Sequence, residues 1–84
     1  MAKYRKKPIV IEAEQWFAPD WEKHYSKEPD HLGVYWNSWD LDFRINTPEG
    51  SYVVTSGDWI ITDVKGEKYP CKPDIFEISY EEVT

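Results

Sequence analysis

The stretch that decides the fold is Leu41-Asp42-Phe43-Arg44-Ile45-Asn46-Thr47-Pro48-Glu49-Gly50-Ser51-Tyr52-Val53-Val54-Thr55. Leu41, Phe43 and Ile45 alternate with Asp42, Arg44 and Asn46. That two-residue period belongs to a strand with one buried and one wet face. Thr47-Pro48-Glu49-Gly50 then places proline second and glycine fourth, as a type I turn favours. Ser51–Thr55 returns as the hairpin partner.

Upstream, Leu32–Asn37 is a second strand, with Val34 and Trp36 opposite Tyr35, and Asn37-Ser38 is its turn. A further strand, Ile9–Gln15, sets Ile9, Ile11 and Ala13 against Val10, Glu12 and Glu14. Pro8 suits its start, because proline cannot donate a ladder hydrogen bond. Residues 16–31 lack strand alternation. Asp20 is placed to cap a short helix over Trp21–Lys27, with Trp21 and Tyr25 on one face and Pro29 ending it. This segment reads as a lid or side wall.

Downstream, Ser56-Gly57-Asp58 is a turn, Trp59–Thr62 a strand, Val64-Lys65-Gly66-Glu67 a turn and Lys68–Cys71 a short strand. Pro70 puts that last strand at a sheet edge. Asp74 is expected to cap a closing helical segment over Ile75–Glu82, with Glu77 three residues on as a capping box requires. Short strands with regularly spaced turns predict a mainly β (α+β) fold. The expected form is one domain over residues 1–84, a small antiparallel sheet or partly closed barrel with one or two short helices.

Composition bounds the function. A chain of 84 residues buries only about 60–65% of the surface its unfolded form exposes. Five Trp, six Tyr and three Phe are more aromatic bulk than so small a core absorbs, so some rings should be exposed or sit at an interface. Residues 1–8 carry +4 and the rest of the chain −10, giving the net −6. An acidic body of this kind repels phosphate backbones and argues against long nucleic acids. No apolar run approaches the ~18 residues of a membrane span, and Pro8–Ile11 is too short for a signal peptide's apolar region of ~7–15 residues. The chain reads as cytoplasmic.

Nothing in the sequence forms a catalytic motif. The single cysteine, Cys71, cannot form an internal disulfide, and Lys72 is the only neighbour placed to lower its thiol pKa. His24 and His31 stand seven apart, not at the i, i+4 spacing of a helical metal site. Carboxylate pairs such as Glu12/Glu14, Asp40/Asp42 and Glu81/Glu82 arise readily among sixteen acids and read as solvated faces. Four single glycines make no phosphate loop. The expectation is a non-enzymatic protein with no metal and no cofactor.

A family resemblance enters at residue 57. Gly57-Asp58-Trp59-Ile60-Ile61, then Gly66-Glu67-Lys68-Tyr69-Pro70-Cys71-Lys72-Pro73-Asp74-Ile75-Phe76-Glu77 and Tyr80-Glu81, resembles a widespread group of short bacteriophage proteins. Tyr4-Arg5-Lys6-Lys7-Pro8, Ile11-Glu12-Ala13 and Gln15-Trp16 match the same group, so the resemblance covers both ends, roughly half the chain. Many members have proline before Gly-Asp-Trp; here it is Ser56. The resemblance implies a phage origin and does not by itself imply an activity. Small phage proteins often oppose host defences, by binding a host protein or by sequestering a nucleotide signal.

Trp16, Trp21, Tyr25, Tyr35, Trp36 and Trp39 fall within 24 residues, where the resemblance fades. Some belong to the core, and the others offer flat, rigid surface. A base stacked on such a ring gains roughly 1–3 kcal/mol. Arg44 is the one arginine outside the N-terminus and suits a phosphate or carboxylate; Lys6, Lys7 and Lys72 add charge. The expected ligand-binding set is therefore Trp21, Tyr25, Tyr35, Trp36, Trp39, Arg44, Lys6, Lys7 and Lys72. Two functions follow. The first is a counter-defence sponge for a small nucleotide-derived signal, working as a homo-oligomer. The second is an acidic inhibitor that blocks a host defence protein. A third possibility for the same rings is that they form core and homodimer interface, with Arg44 in a surface ion pair.

Overall fold

The computed structural model describes residues 1–5, 9–20 and 28–83. The helix expected over residues 21–27 and the strand-starting Pro8 lie outside them. Among the described residues there are six strands and one helix. The strands are β1 (Glu12–Gln15), β2 (Val34–Asn37), β3 (Asp42–Thr47), β4 (Gly50–Val54), β5 (Trp59–Thr62) and β6 (Lys68–Cys71); the helix is α1 (Pro73–Ser79). All pairings are antiparallel. The strands form two three-stranded sheets, ordered β1-β5-β6 and β2-β3-β4, not one closed barrel. The fold is thus mainly β with a short helix, as the strand and turn pattern predicts.

The deciding hairpin forms with a one-residue shift. Thr47 pairs with Gly50 across a two-residue loop. The Thr47 hydroxyl donates to the Gly50 carbonyl at 2.8 Å and accepts the Glu49 amide at 3.1 Å, which draws Thr47 into the strand end. Leu41 leaves the other end because its φ is 55°, in the left-handed region. The two-residue period holds in the register. Val34, Trp36, Phe43, Ile45, Tyr52 and Val54 share one face, and Tyr35, Arg44 and Val53 share the other.

That first face meets Ile60 of β5 in the core. Trp16, Leu32, Val34, Ile45, Val54 and Ile60 are buried there, with Phe43 packed against them. Each such side chain contributes about 1.5–3 kcal/mol when taken out of water. Trp16 and Trp36 both meet the Phe43 ring edge-on, at 5.0 Å between centroids. The opposite face of the β1-β5-β6 sheet carries Ala13, Trp59, Ile61 and Tyr69. On Trp59 the Phe76 ring of α1 stacks at 4.1 Å and 8°, and Tyr80 follows Phe76 at 5.2 Å. Pro70 lies in β6, an edge strand, as expected from its missing N–H.

Two details of the chain's ends differ from expectation. β1 spans Glu12–Gln15, not Ile9–Gln15; Ile9 and Val10 are exposed and precede it. α1 begins at Pro73, with Lys72 as its N-cap and no side-chain capping bond, so Asp74 and Glu77 form no capping box. Proline fits the first helical position because that amide would be unpaired anyway, and this moves the start ahead of Asp74. The helix closes at Ser79, where the Tyr80 amide donates to the Phe76 carbonyl at 3.0 Å.

Candidate functional site

The Gly57-Asp58-Trp59 turn is the junction that sets the scaffold. Gly57 has φ 97°, a conformation that favours glycine. Its amide donates to the Trp16 carbonyl at 2.7 Å, and the Trp16 amide donates to the Asp58 carbonyl at 2.7 Å. The Asp58 side chain is only 2% exposed. Its carboxylate accepts the Thr55 amide at 2.9 Å, the Thr55 hydroxyl at 3.0 Å and the Lys72 ammonium at 3.1 Å. A buried charge held this way has its desolvation offset by charge-assisted bonds. Lys72 therefore locks the start of α1 to the turn before β5.

A second carboxylate organises the entry to β2. Asp30 accepts the Trp16 indole N–H at 2.9 Å on one oxygen, and the Leu32 and Val34 amides at 2.9 and 3.0 Å on the other. The residues flanking 17–29 are thereby tied together. Nearby, the His31 imidazole lies 2.6 Å from the Glu14 carboxylate. That bond raises the pKa of His31 above the usual histidine value.

The tip between β2 and β3 is built differently. Asn37 and Asp42 pair at its base. The Asn37 side-chain oxygen accepts the amides of Trp39 and Asp40 at 2.9 and 3.1 Å, which fixes the turn from within. Arg44 then braces it from the β3 side. Its Nε donates to Asp42 at 2.9 Å and its Nη2 to Asp40 at 2.9 Å. These two carboxylates raise the Arg44 pKa, with the hydrogen bond to Asp42 foremost. On this rigid turn Trp39 is 94% exposed and Leu41 70% exposed. Asp40 and Asp42 flank two large apolar side chains that none of the described residues covers.

The expected binding set is accordingly dispersed. Trp21, Tyr25, Lys6 and Lys7 lie outside the described residues. Tyr35 and Arg44 face each other across β2 and β3 on the outer face, where the Tyr35 hydroxyl donates to Asn46 at 3.0 Å. Trp36 points to the inner face against Phe43, Trp39 stands at the tip, and Lys72 belongs to the other sheet's helix junction. The strand alternation that separates Tyr35 from Trp36 follows from adjacent positions alone. Asp40 and Leu41, which stand beside Trp39 at the tip, were not among the expected residues. The available signal was an apolar-acidic alternation, Trp39-Asp40-Leu41-Asp42, continuing past an Asn turn.

Of the concavities that flank the sheets, two border Tyr35 and the Trp59 stack. One, of about 400 Å³, is bordered by Leu32, Tyr35, Asn46, Thr47, Glu67 and Lys68. The other, of about 490 Å³, lies between Ile9–Ile11 and the Trp59–Phe76–Tyr80 stack. In the first, the Lys68 ammonium already donates to Thr62 at 2.8 Å. Cys71 is half-buried, as a small free cysteine commonly is. Burial first, then Asp58 and Asp74, push its thiol pKa up, and the Lys72 ammonium, the neighbour able to lower it slightly, is turned to Asp58. Among the described residues no group of three or more His, Cys, Asp or Glu side chains is placed to hold a metal ion. No described helix is long and apolar enough to cross a membrane.

Comparison with protein families, with curated proteins and with solved structures finds no match for this chain.

Proposed function

We propose that this chain is a non-enzymatic binding protein that grips a protein partner through the Ser38–Leu41 tip. The observation that carries the reading is Trp39, 94% exposed on a turn whose backbone amides are already fixed by Asn37. With its backbone amide already bonded, Trp39 has only two side-chain torsions to fix on docking, and tryptophan is enriched among the residues that dominate binding energy. Leu41 widens the apolar contact, and Asp40 with the net charge of −6 suits a partner whose apolar pocket has a basic rim. The phage origin that the resemblance implies sets the chain in the host cytoplasm, and the frequency with which small phage proteins oppose host defences makes a host defence protein the partner to look for.

The nucleotide reading rests on the groove beside Tyr35, whose 400 Å³ is ligand-sized. It is the weaker of the two, because Arg44 is ion-paired with Asp40 and Asp42 and Lys72 with Asp58, which leaves Lys68 as the one described cation lining the groove, beside the acidic Glu67. Affinity capture from host lysate with quantitative mass spectrometry, run beside thermal shift against a panel of linear and cyclic nucleotides, separates them. The tip reading expects one stoichiometric protein that is lost with Trp39→Ala and weakened by salt, and no nucleotide shift. A nucleotide shift that survives Trp39→Ala and disappears with Tyr35→Ala would replace it.

A further inference from the structure

We infer that the open edge of β4 is a self-pairing surface, and that its occupant is the β4 edge of a second copy of this chain. The two sheets have four edge strands: β1, β6, β2 and β4. Three are blunted. β1 carries the exposed acids Glu12 and Glu14. β6 contains Pro70, which has no N–H, and Lys68. β2 has its outward groups taken at Val34, whose amide donates to the Asp30 side chain at 3.0 Å and whose carbonyl accepts the Asp30 amide at 2.9 Å. Charges, proline and capped backbone are the usual protections of a sheet edge.

β4 has none of them. Gly50-Ser51-Tyr52-Val53-Val54 contains no charged residue and no proline. The direction of its free groups follows from the register. Val34 turns its backbone to Asp30, so Tyr35 is the residue of β2 that bonds β3, at Arg44. Ile45 must then turn the other way and bond Tyr52. Ser51 and Val53 are left with N–H and C=O directed away from β3. Among the described residues no loop or side chain takes these groups up.

The edge is self-complementary. An antiparallel two-fold centred on Tyr52 sets Ser51 opposite Val53 of the second copy, and Val53 opposite its Ser51. Each of these two facing pairs exchanges two bonds, in the close-pair pattern of an antiparallel ladder. Tyr52 is 43% exposed and Val53 45%, so apolar surface is covered on both faces of the new junction. Charge selects the place. Two chains of net −6 repel over most of their surface, and the β4 edge brings no charged side chain into the ladder. The resulting six-stranded sheet keeps both Trp39 tips clear, since the β2–β3 turn lies at the strand end and not along the β4 edge.

Sedimentation velocity over a concentration series, with amide exchange followed by NMR on the same samples, tests this. The expected result is a monomer–dimer equilibrium in which the Ser51 and Val53 amides exchange more slowly as concentration rises. Val53→Lys sets like charges near each other across the two-fold, and Ser51→Pro removes an outward N–H without touching a β3 bond. Each should weaken association roughly tenfold or more, about 1.4 kcal/mol, with the thermal transition of the monomer retained. A chain that stays monomeric at every concentration overturns the inference. So does a dimer indifferent to both substitutions, or exchange at Ser51 and Val53 that does not depend on concentration.

Discussion

Asp58-Trp59 and Trp39-Asp40 are the same two residue types in opposite circumstances. In the first pair the carboxylate is buried on Thr55 and Lys72, and the indole is stacked under Phe76. In the second the carboxylate braces a half-buried arginine and the indole stands in water. The difference does not come from the residues themselves. It comes from what the chain brings opposite them: a helix start and a neighbouring strand in one case, solvent in the other. A side chain with many partners specifies the fold, whereas one with none is available for an encounter.

The sharpest way to break this contrast is Asp58→Ala. It strands the Thr55 amide, while the half-exposed Lys72 ammonium keeps the Thr55 hydroxyl and water, and should cost about 1–3 kcal/mol, the range for a buried donor left without its acceptor. Urea unfolding measures it; a loss below about 1 kcal/mol, the usual net worth of one hydrogen bond, would remove the scaffold role. Leu41→Gly acts in the opposite direction. Relief of a left-handed leucine, worth about 1–2 kcal/mol, outweighs glycine's added unfolded-state entropy of roughly 0.5–1 kcal/mol. The thermal midpoint should rise slightly while partner capture falls. Trp39→Ala should change stability by no more than about 0.5 kcal/mol, the ordinary range for a surface site, and still abolish capture. A large loss of stability there would mean that the tip is scaffold after all.

The smallest effect concerns pH. The folded-state pKa of His31 is raised by its bond to Glu14, so its contribution is full below the unfolded value of 6.5 and is lost as pH rises through the folded pKa. Both groups are largely exposed, which keeps the slope shallow. His31→Gln should flatten the stability profile just above pH 6.5, checked by denaturation at closely spaced pH values.

Most of the strands were legible because each is a local pattern. The alternation of Leu41 to Asn46, the Pro48 turn and the lone Pro70 each carry their meaning within a few residues, and the register agrees with them. The helix start was misplaced because Asp74 and Pro73 both fit helix beginnings, and only the backbone decides between them. The binding set was the least legible. Clustering in sequence does not imply clustering in space when adjacent strand residues point to opposite faces, as Tyr35 and Trp36 do. Partners far along the chain also consumed the cations: Lys72 meets Asp58 fourteen residues away. Spacing within a motif does not reveal such a pairing.

The Trp16–Asp30 hydrogen bond has a consequence for how such a chain can vary. It works as a clasp, holding Trp16 and Asp30 together at the two ends of the intervening stretch. Once the ends are clasped, doubling the enclosed length costs only about 0.6 kcal/mol of closure entropy. Residues 17–29 are thus a cassette: sequence can be exchanged or lengthened there while the register of β2 and the seat of β1 stay fixed by one carboxylate.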